Sequence, residues 1–255
     1  MNQLHSRNSH SRGSVVGAAH ATNGRAEPSD SGAAKQKLRQ IAFWADRLTQ
    51  GEASRALKGT IERSFSGGAY ICHRGDQFDY WTGVVSGLVK KSAISASGKA
   101  ITFAGAGAGS WFGEGTILKN EARKYDLVTL RDTRLSMMNR TTFMWLFENS
   151  FGFTRFLVQQ LNERMGNFVA TIECDRIHDP AARVARHLAA LSNATLHHSG
   201  DTRIEITQEE LALFAGVPRL VVNRSVRRLQ AEGLMVTDRG GMTILDMRRL
   251  ARYGG

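Results

Sequence analysis

The chain has 255 residues, of which 34 are lysine or arginine and 23 are aspartate or glutamate, so its formal net charge at pH 7 is +11. An apolar fraction of 42% suits a soluble globular protein of two modest domains, and the basic excess predicts a polyanionic partner, nucleic acid first and an anionic membrane surface second. Two widely separated cysteines, Cys72 and Cys174, exclude a disulfide framework and indicate a reducing, cytoplasmic compartment, and the apolar runs are too short to span a membrane.

The N-terminal segment is rich in Ser, His, Arg, Gly, Ala and Asn and has almost no large apolar side chains. Such a composition buries too little surface to offset the entropy of ordering, so we predict a disordered tail over residues 1–35. An organelle transit peptide is the alternative. Glu27, Asp30 and the lack of a clear amphipathic face disfavour it.

Two short helices and a β-rich region are predicted next. Apolar residues at steps of three and four predict a helix from Gln36 to about Gly51, and a second helix covers residues 52–58. The runs "AYICHRGD", "WTGVVSGLVKK", "KAITFAGAG" and "YDLVTLRDTRLSMM" then read as strands separated by glycine turns. This rhythm predicts a small antiparallel β-roll in a sensor domain that spans residues 36–148.

A helix capped by Thr141 or Thr142 follows, and then a long helix from about Phe151 to Asp175. Five apolar residues of the long helix repeat at steps of four, four, three and four: Leu157, Leu161, Met165, Phe168 and Ile172. This spacing is a short heptad-like seam. Because the helix joins two domains and has little chain around it, we predict that residues 149–176 pair with a second copy.

The run "ITQEELALFAGVPRLVVNRSVRRLQAEGLM" predicts two helices joined by a tight turn. Thr207 and Glu210 form a capping box at the start of the first helix, and Gly216 ends it. Pro218 suits the first turn of the second helix, where a missing amide hydrogen costs nothing. The inward face of that helix carries Val222, Val226 and Leu229. The outward face carries Arg219, Leu220, Asn223, Arg224, Arg227 and Arg228.

This layout is typical of a helix-turn-helix, and "MVTDRGGMTIL" adds a hairpin wing, within a domain over residues 177–255. Most charge runs only solvate a helix face, but four arginines without an intervening acid between residues 219 and 228 would repel one another without a partner. We therefore predict binding to double-stranded DNA. The residues expected at the DNA are Thr207, Arg219, Leu220, Asn223, Arg224 and Arg227.

Through four sequence motifs in this order, residues 36–252 resemble the CRP/FNR family of bacterial transcription regulators: "ICHRGD", "FGEG", "DPAARVARHL" and "ITQEELALFAGVPRLVVNRSVRRL". The resemblance implies an α+β fold with an N-terminal antiparallel β-roll of the cyclic-nucleotide-binding kind, a long dimerisation helix and a C-terminal winged helix-turn-helix. It also implies a homodimer on a near-palindromic operator, with RNA polymerase as a further partner.

Matching positions assign roles to the recognition helix. Arg219 and Arg224 resemble the two family arginines that contact guanines, and an arginine fork can satisfy O6 and N7 of one guanine together. Leu220 departs from the glutamate that many members carry there. A leucine cannot accept a hydrogen bond from cytosine N4, so we expect a half-site altered at that base.

The resemblance also maps a pocket for a small effector. Gly113 and Glu114 match the ribose contacts of cyclic-AMP binders. Counting from Glu114 without gaps, the phosphate-binding arginine and serine fall on Lys124 and Tyr125, and Arg123 lies one step early. Lysine lacks arginine's bidentate fork, and a tyrosine ring fills space that a serine leaves open.

The purine contacts of the family fall on Phe168 and Val169, and neither has a hydroxyl. A site built from hydrogen bonds loses discrimination when its donors become apolar. We therefore expect a remodelled pocket that does not use cyclic AMP in the usual way. A cyclic-AMP-responsive regulator, a different small effector and no effector at all remain the alternatives.

An enzyme with Cys72 as nucleophile and His73 as base is the rival from another class. Adjacent strand residues point to opposite faces, so the two would not form a dyad. Two cysteines are also too few for an iron-sulfur cluster with four cysteine ligands, and the histidines show no metal-ligand spacing with cysteine. We expect no catalysis, no metal and no cofactor.

Overall fold

The computed structural model describes residues 30–95, 98, 100–176, 179–192 and 202–254. The chain forms an N-terminal β-roll with flanking helices, a long helix, and a C-terminal domain of helices around a small sheet, so the predicted α+β architecture is confirmed. The predicted tail lies mostly outside the described residues. Helix α1 (Asp30–Ile41) crosses the boundary predicted at residue 35, so the ordered domain begins earlier than its composition indicates.

The single helix predicted up to Gly51 is wrong. After α1 the chain forms a 3-10 turn (Phe43–Arg47) and then helix α2 (Gln50–Lys58), which contains Gly51. The break has a local cause, because Thr49 caps α2. Its hydroxyl accepts from the Glu52 amide at 3.3 Å, and the Glu52 carboxylate accepts from the Thr49 amide at 2.7 Å.

Strands and one short helix build the roll. They are β1 (Thr60–Phe65), β2 (Tyr70–Cys72), β3 (Tyr80–Ser86), β4 (Leu88–Ile94), β5 (Ala100–Gly107), β6 (Trp111–Phe112), α3 (Glu114–Lys119), β7 (Asp126–Thr129) and β8 (Thr133–Asn139). The strands pair antiparallel in two sheets, ordered β1-β8-β3-β6 and β2-β7-β4-β5. The run "WTGVVSGLVKK" divides at Gly87, whose φ of +96° and crowding by Thr133 leave no room for a side chain.

Aromatic side chains join the roll to the flanking helices. Trp44, Trp81 and Trp111 are fully buried, and their ring centroids lie 4.5 to 5.2 Å apart. Phe153 closes the group, with its ring centroid 5.4 Å from both Trp44 and Trp81. Because such rings bury large apolar areas, this cluster fixes the long helix against the roll.

Helices α4 (Arg140–Asn149) and α5 (Phe151–Arg176) follow the roll. The predicted cap of α4 is wrong: the Asn139 side chain accepts from the Thr142 amide at 2.8 Å, because asparagine at the strand end lies in the capping position. On α5, Leu157 is buried in the aromatic core. The rest of the predicted seam is exposed, namely Leu161, Met165, Phe168 and Ile172.

The C-terminal domain contains helices α6 (Pro180–Leu191), α7 (Gln208–Ala215), α8 (Arg219–Ala231) and α9 (Met247–Ala251) and strands β9 (Arg203–Ile204), β10 (Met235–Asp238) and β11 (Gly241–Ile244). The hairpin wing β10-β11 is confirmed, and β9 adds a third strand beside β11. Across the described residues, no helix is long and apolar enough to cross a membrane.

The C-terminal domain packs on the roll. The Arg131 guanidinium, in the turn between β7 and β8, donates to both carboxylate oxygens of Glu210 on α7, at 2.6 and 2.5 Å. Gly105 of β5 lies so close to α7 that an added Cβ would be 2.8 Å from the Phe214 ring. Sensor and DNA-binding domain are therefore joined by charged as well as apolar contacts.

Candidate DNA-binding surface and effector pocket

In the predicted helix-turn-helix, the first helix begins and ends where the sequence indicates. The Thr207 hydroxyl accepts from the Glu210 amide at 3.1 Å, and the Glu210 carboxylate accepts from the Thr207 amide at 2.7 Å. Gly216 ends α7 with a left-handed φ of +60°. Pro218 is the residue just before α8 and not a member of its first turn. The turn thus presents α8 at a fixed angle to α7.

Helix α8 has one buried and one exposed face. The buried face consists of Val222, Val226 and Leu229. Arg219, Arg224 and Arg227 are exposed, and Leu220 is 63% exposed among them. The surface formed by Arg219, Leu220, Arg224 and Arg227 is called the reading face below. Its arginines make no ion pair with the described residues, which leaves their guanidiniums available to a polyanion.

Three polar residues near the reading face form hydrogen bonds or ion pairs within the protein. Asn223 is half-buried, and its amide donates to the Gln208 side chain at 3.1 Å, so it ties α8 to α7. The Thr207 hydroxyl caps α7. Arg228, expected on the outward face, pairs with Asp179 at 3.3 Å and with Glu232 at 3.2 Å. The surface that remains free for DNA is therefore narrower than the sequence indicates.

In the effector pocket, Gly113 and Glu114 lie where β6 passes into α3. Gly113 has a φ of +102°, and an added Cβ would lie 2.5 Å from the Arg123 guanidinium. Glu114 is buried and accepts from the Arg164 guanidinium of α5, which also donates to the Trp111 carbonyl. Burial acts to raise the pKa of the Glu114 carboxyl, but the Arg164 guanidinium, a backbone hydrogen bond and the Lys91 charge together hold that pKa below its ordinary value.

Arg123 lies in this pocket and Lys124 does not. Arg123 is 2% exposed, donates to the Tyr80 carbonyl at 3.0 Å, and lies 5.0 Å from the Phe78 ring centroid. Lys124 is exposed and pairs with Glu121 at 2.8 Å. Of the two expected phosphate-binding residues, Arg123 therefore lies beside Gly113, and Lys124 does not.

Of the other expected pocket residues, Phe168 lines a cavity of about 110 Å³ between the roll and α5, together with Lys91, Phe112 and Arg164. Tyr125 is half-buried against the interior of the roll, and burial raises the pKa of its hydroxyl. Phe168 and Val169 lie on α5 and are 55% and 58% exposed. Neither Phe168 nor Val169 reaches Glu114 in the single chain by a hydrogen bond, since neither has a polar side-chain atom.

The sequence analysis did not identify Arg164 and Lys91 as residues of the effector pocket. The half-buried Lys91 of β4 places its ammonium 4.4 Å from the Phe112 ring centroid and 5.8 Å from that of Tyr125. Burial, helped by Arg164, lowers the pKa of Lys91 to about 7. No sequence motif marks either residue; only its position in a strand or helix that faces Glu114 could have indicated it.

Cys72 and His73 do not form a nucleophile and base. Cys72 is buried, and burial raises the pKa of its thiol to about 11, so the thiol is protonated at neutral pH. His73 stacks on Tyr70 with ring centroids 4.3 Å apart. Within the described residues, no group of three or more His, Cys, Asp or Glu side chains could hold a metal ion.

Comparison with known proteins agrees with both halves of this description. A family model described as a cyclic nucleotide-binding domain matches residues 62–150. A model described as a Crp-like helix-turn-helix domain matches residues 182–253. The chain belongs to the CRP/FNR family. As a CRP/FNR protein it is a transcription regulator with a helix-turn-helix DNA-binding domain.

Named relatives support this membership. The transcriptional regulator SdrP of Thermus thermophilus is 27% identical over 66% of this chain and 80% of its own length. The cAMP-activated global transcriptional regulator CRP of Haemophilus influenzae is 24% identical over 65% of this chain and 75% of its own. The crystal structure of a CRP/FNR-family transcriptional regulator from Thermus thermophilus is 26% identical, with a TM-score of 0.53, and the match covers 76% of this chain and 100% of that one.

In this CRP/FNR regulator, Lys91→Met is expected to raise the thermal unfolding midpoint by several degrees at about pH 6, with the gain shrinking toward pH 10. The folded pKa of Lys91, about 7, lies below the ordinary 10.5, so between these values the unfolded chain binds more protons. The destabilisation of the folded protein by charged Lys91 is therefore complete below pH 7, and it disappears as the pH rises to 10.5. Calorimetry of both proteins across this range measures the difference, and Lys90→Met on the same strand is the control. A gain that is independent of pH would contradict this assignment.

Proposed function

We propose that this CRP/FNR regulator binds a near-palindromic operator as a homodimer, that each protomer inserts its reading face into the major groove, and that RNA polymerase is a further partner. The observation that carries this proposal is the reading face itself: exposed arginines without acidic partners on the second helix of a capped helix-turn-helix. Two-fold symmetry would set the two reading faces about 34 Å apart along the duplex.

The composition of the reading face supports a particular half-site. Arg219 and Arg224 suit guanines, and the exposed Leu220 presents an apolar group that suits a thymine methyl. Selecting binding sites from random DNA with the full chain tests this proposal. Enriched sequences with two inverted half-sites, each with guanines and without the cytosine preference that a glutamate at position 220 would give, are the expected result. An enriched site without two-fold symmetry would contradict it.

Support for the homodimer comes from α5. Met165, Phe168, Val169 and Ile172 are each more than half exposed, and they line the part of the helix that leaves the roll. A contiguous apolar stripe of this kind is uncommon on the surface of a monomer and matches the seam of a two-helix coiled coil.

Phe168→Glu is therefore expected to convert the dimer to a monomer, because it places a charge in the centre of this stripe. Sedimentation equilibrium measures the mass, and operator affinity should fall at least about tenfold when the second reading face is lost. Gln159→Glu adds the same charge at an exposed position of α5 outside the stripe and should leave the dimer intact. A Phe168→Glu protein that stays dimeric would show that the stripe is not the seam.

We also propose that cyclic AMP is not the usual effector of this pocket. The Arg123 guanidinium lies beside Gly113, but Glu114 is already paired with Arg164, and the hydroxyl donors expected at positions 168 and 169 are absent. The Haemophilus relative is named as cAMP-activated, so the same nucleotide is the direct test. Calorimetric titration with cyclic AMP should show no micromolar site, and operator affinity should not change with it. A micromolar site coupled to DNA binding would overturn this proposal.

A further inference from the structure

A cluster of arginines lies on the C-terminal helix α9, outside the reading face. Arg248, Arg249 and Arg252 are exposed, and they line an open depression together with Tyr253 and Gly254. Among the residues that the structure describes, no carboxylate lies within ion-pair distance of these three guanidiniums. The three arginines are called the C-terminal basic patch below.

The patch has a fixed place in the domain, because α9 packs into the core. Leu250 is fully buried, and the Asp246 side chain caps the helix by accepting from the Arg249 amide at 3.0 Å. Gly254 lies so close to α6 that an added Cβ would be 2.6 Å from the Cβ of Ala182. The guanidiniums of the patch therefore project from a packed helix.

The patch adjoins the C-terminal end of α8. The Tyr253 hydroxyl donates to Glu232, the residue just after α8, at 2.6 Å, and the Arg228 guanidinium lies 5.4 Å from the Tyr253 ring centroid. Arg228 follows Arg224 of the reading face by about one helical turn. Because α8 has 13 residues, its C-terminal end is roughly 20 Å from Arg219. The patch thus lies beyond the reading face on the same domain.

The acidic residues at this end of α8 already have a partner. Glu232 and Asp179 both lie within ion-pair distance of Arg228, at 3.2 and 3.3 Å. The charge of Arg249 also acts on Glu232, which leaves Arg248 and Arg252 without any acidic counterpart among the described residues. Like charges this close repel one another, and a polyanion relieves the repulsion. The planar fork of arginine matches a phosphate group in particular.

We propose that the C-terminal basic patch binds phosphates of the operator backbone outside the base pairs that the reading face contacts. The duplex beyond the reading face is the polyanion that operator binding brings to this end of α8. Contacts to phosphates add affinity and fix the orientation of a protein on the duplex, but they carry no sequence information. The inference rests on the proposed function, because the patch meets this part of the duplex only while the reading face holds the operator.

The salt dependence of operator affinity tests the patch. The variant Arg248→Gln/Arg249→Gln/Arg252→Gln removes its charges, and glutamine has a helix propensity close to that of arginine. The plot of log affinity against log salt concentration should become shallower than that of the wild type by about 2 units. Each phosphate contact contributes about 0.9 to this slope, and a dimer makes at least two such contacts. The base preference in site selection should not change.

Two further variants separate the local charge from net charge and from packing. Three exposed arginines of the roll and α5 are replaced in the matched control, Arg63→Gln/Arg74→Gln/Arg155→Gln, whose slope should stay close to that of the wild type. Replacement of all three patch arginines by lysine keeps the charges and should keep the slope. The thermal midpoints of all these variants should match that of the wild type, because every replaced side chain is exposed.

Phosphate ethylation interference locates the contacts on the operator. The glutamine variant of the patch should lose interference outside the base pairs that site selection specifies and keep it inside them. The proposal is overturned if the slope of this variant equals that of the matched control, as it would if the patch served an acidic protein. Interference lost only inside the half-sites would also overturn it. If the proposed function fails, the wild type selects no two-fold site; if only this inference fails, the selected site remains and the slope does not change.

Discussion

Arg224→Ala is expected to lower the affinity for the selected operator by at least about tenfold and to relax the preference at one base pair of each half-site. Arg224 is exposed on α8 and makes no ion pair with the described residues, so its guanidinium can satisfy guanine O6 and N7 together. A bidentate contact of this kind contributes about 1 to 3 kcal/mol of discrimination, and a dimer uses it twice. Fluorescence anisotropy on matched and single-substituted operators measures both quantities.

The control for Arg224→Ala is Arg155→Ala, which removes the same charge from an exposed position of α5 remote from the reading face. This control should weaken binding only slightly and equally for all sequences, because it changes the net charge and no base contact. If Arg224→Ala keeps both the affinity and the base preference of the wild type, Arg224 is not a base reader.

Arg164→Leu is expected to lower the free energy of unfolding by about 3 to 5 kcal/mol, the usual cost of leaving one partner of a buried ion pair alone. Glu114 is 6% exposed, and Arg164 is its charged partner, so the variant leaves a buried carboxylate without a counterion. Urea denaturation at neutral pH measures the loss.

The double variant Glu114→Gln/Arg164→Leu should recover most of the stability lost by Arg164→Leu, because it removes the buried charge as well. The single variant should also regain stability as the pH falls, since a protonated Glu114 no longer needs a counterion. A double variant as unstable as Arg164→Leu would show that Arg164 acts through packing and not through charge.

The helix-turn-helix could be predicted from the sequence because its signals are local. Thr207, Glu210 and Gly216 act within a few residues of their own positions, and the structure shows the cap and the turn where these residues predict them. The strands of the roll were predicted from the same kind of local signal, but the run "WTGVVSGLVKK", predicted as one strand, divides at Gly87 into β3 and β4.

The effector pocket could be predicted only in part, because its geometry depends on contacts between distant segments. Counting along the chain assigned Lys124 to the pocket, whereas the fold buries Arg123 beside Gly113 and leaves Lys124 exposed and paired with Glu121. The partner of Glu114 comes from a helix fifty residues further on, and no local pattern connects the two. The predicted cap of α4, Thr141 or Thr142, was wrong because Asn139 at the end of β8 caps this helix instead.

The contact between Arg131 and Glu210 links two events that are usually treated as separate. One oxygen of Glu210, Oε2, accepts from the Arg131 guanidinium at 2.5 Å and from the Thr207 amide at 2.7 Å. Movement of the C-terminal domain away from the roll removes the charge that polarises this shared oxygen and so weakens the first turn of α7. Domain separation and fraying of that turn are thermodynamically coupled, and the Thr207 amide becomes a reporter of domain separation through its rate of hydrogen exchange with solvent.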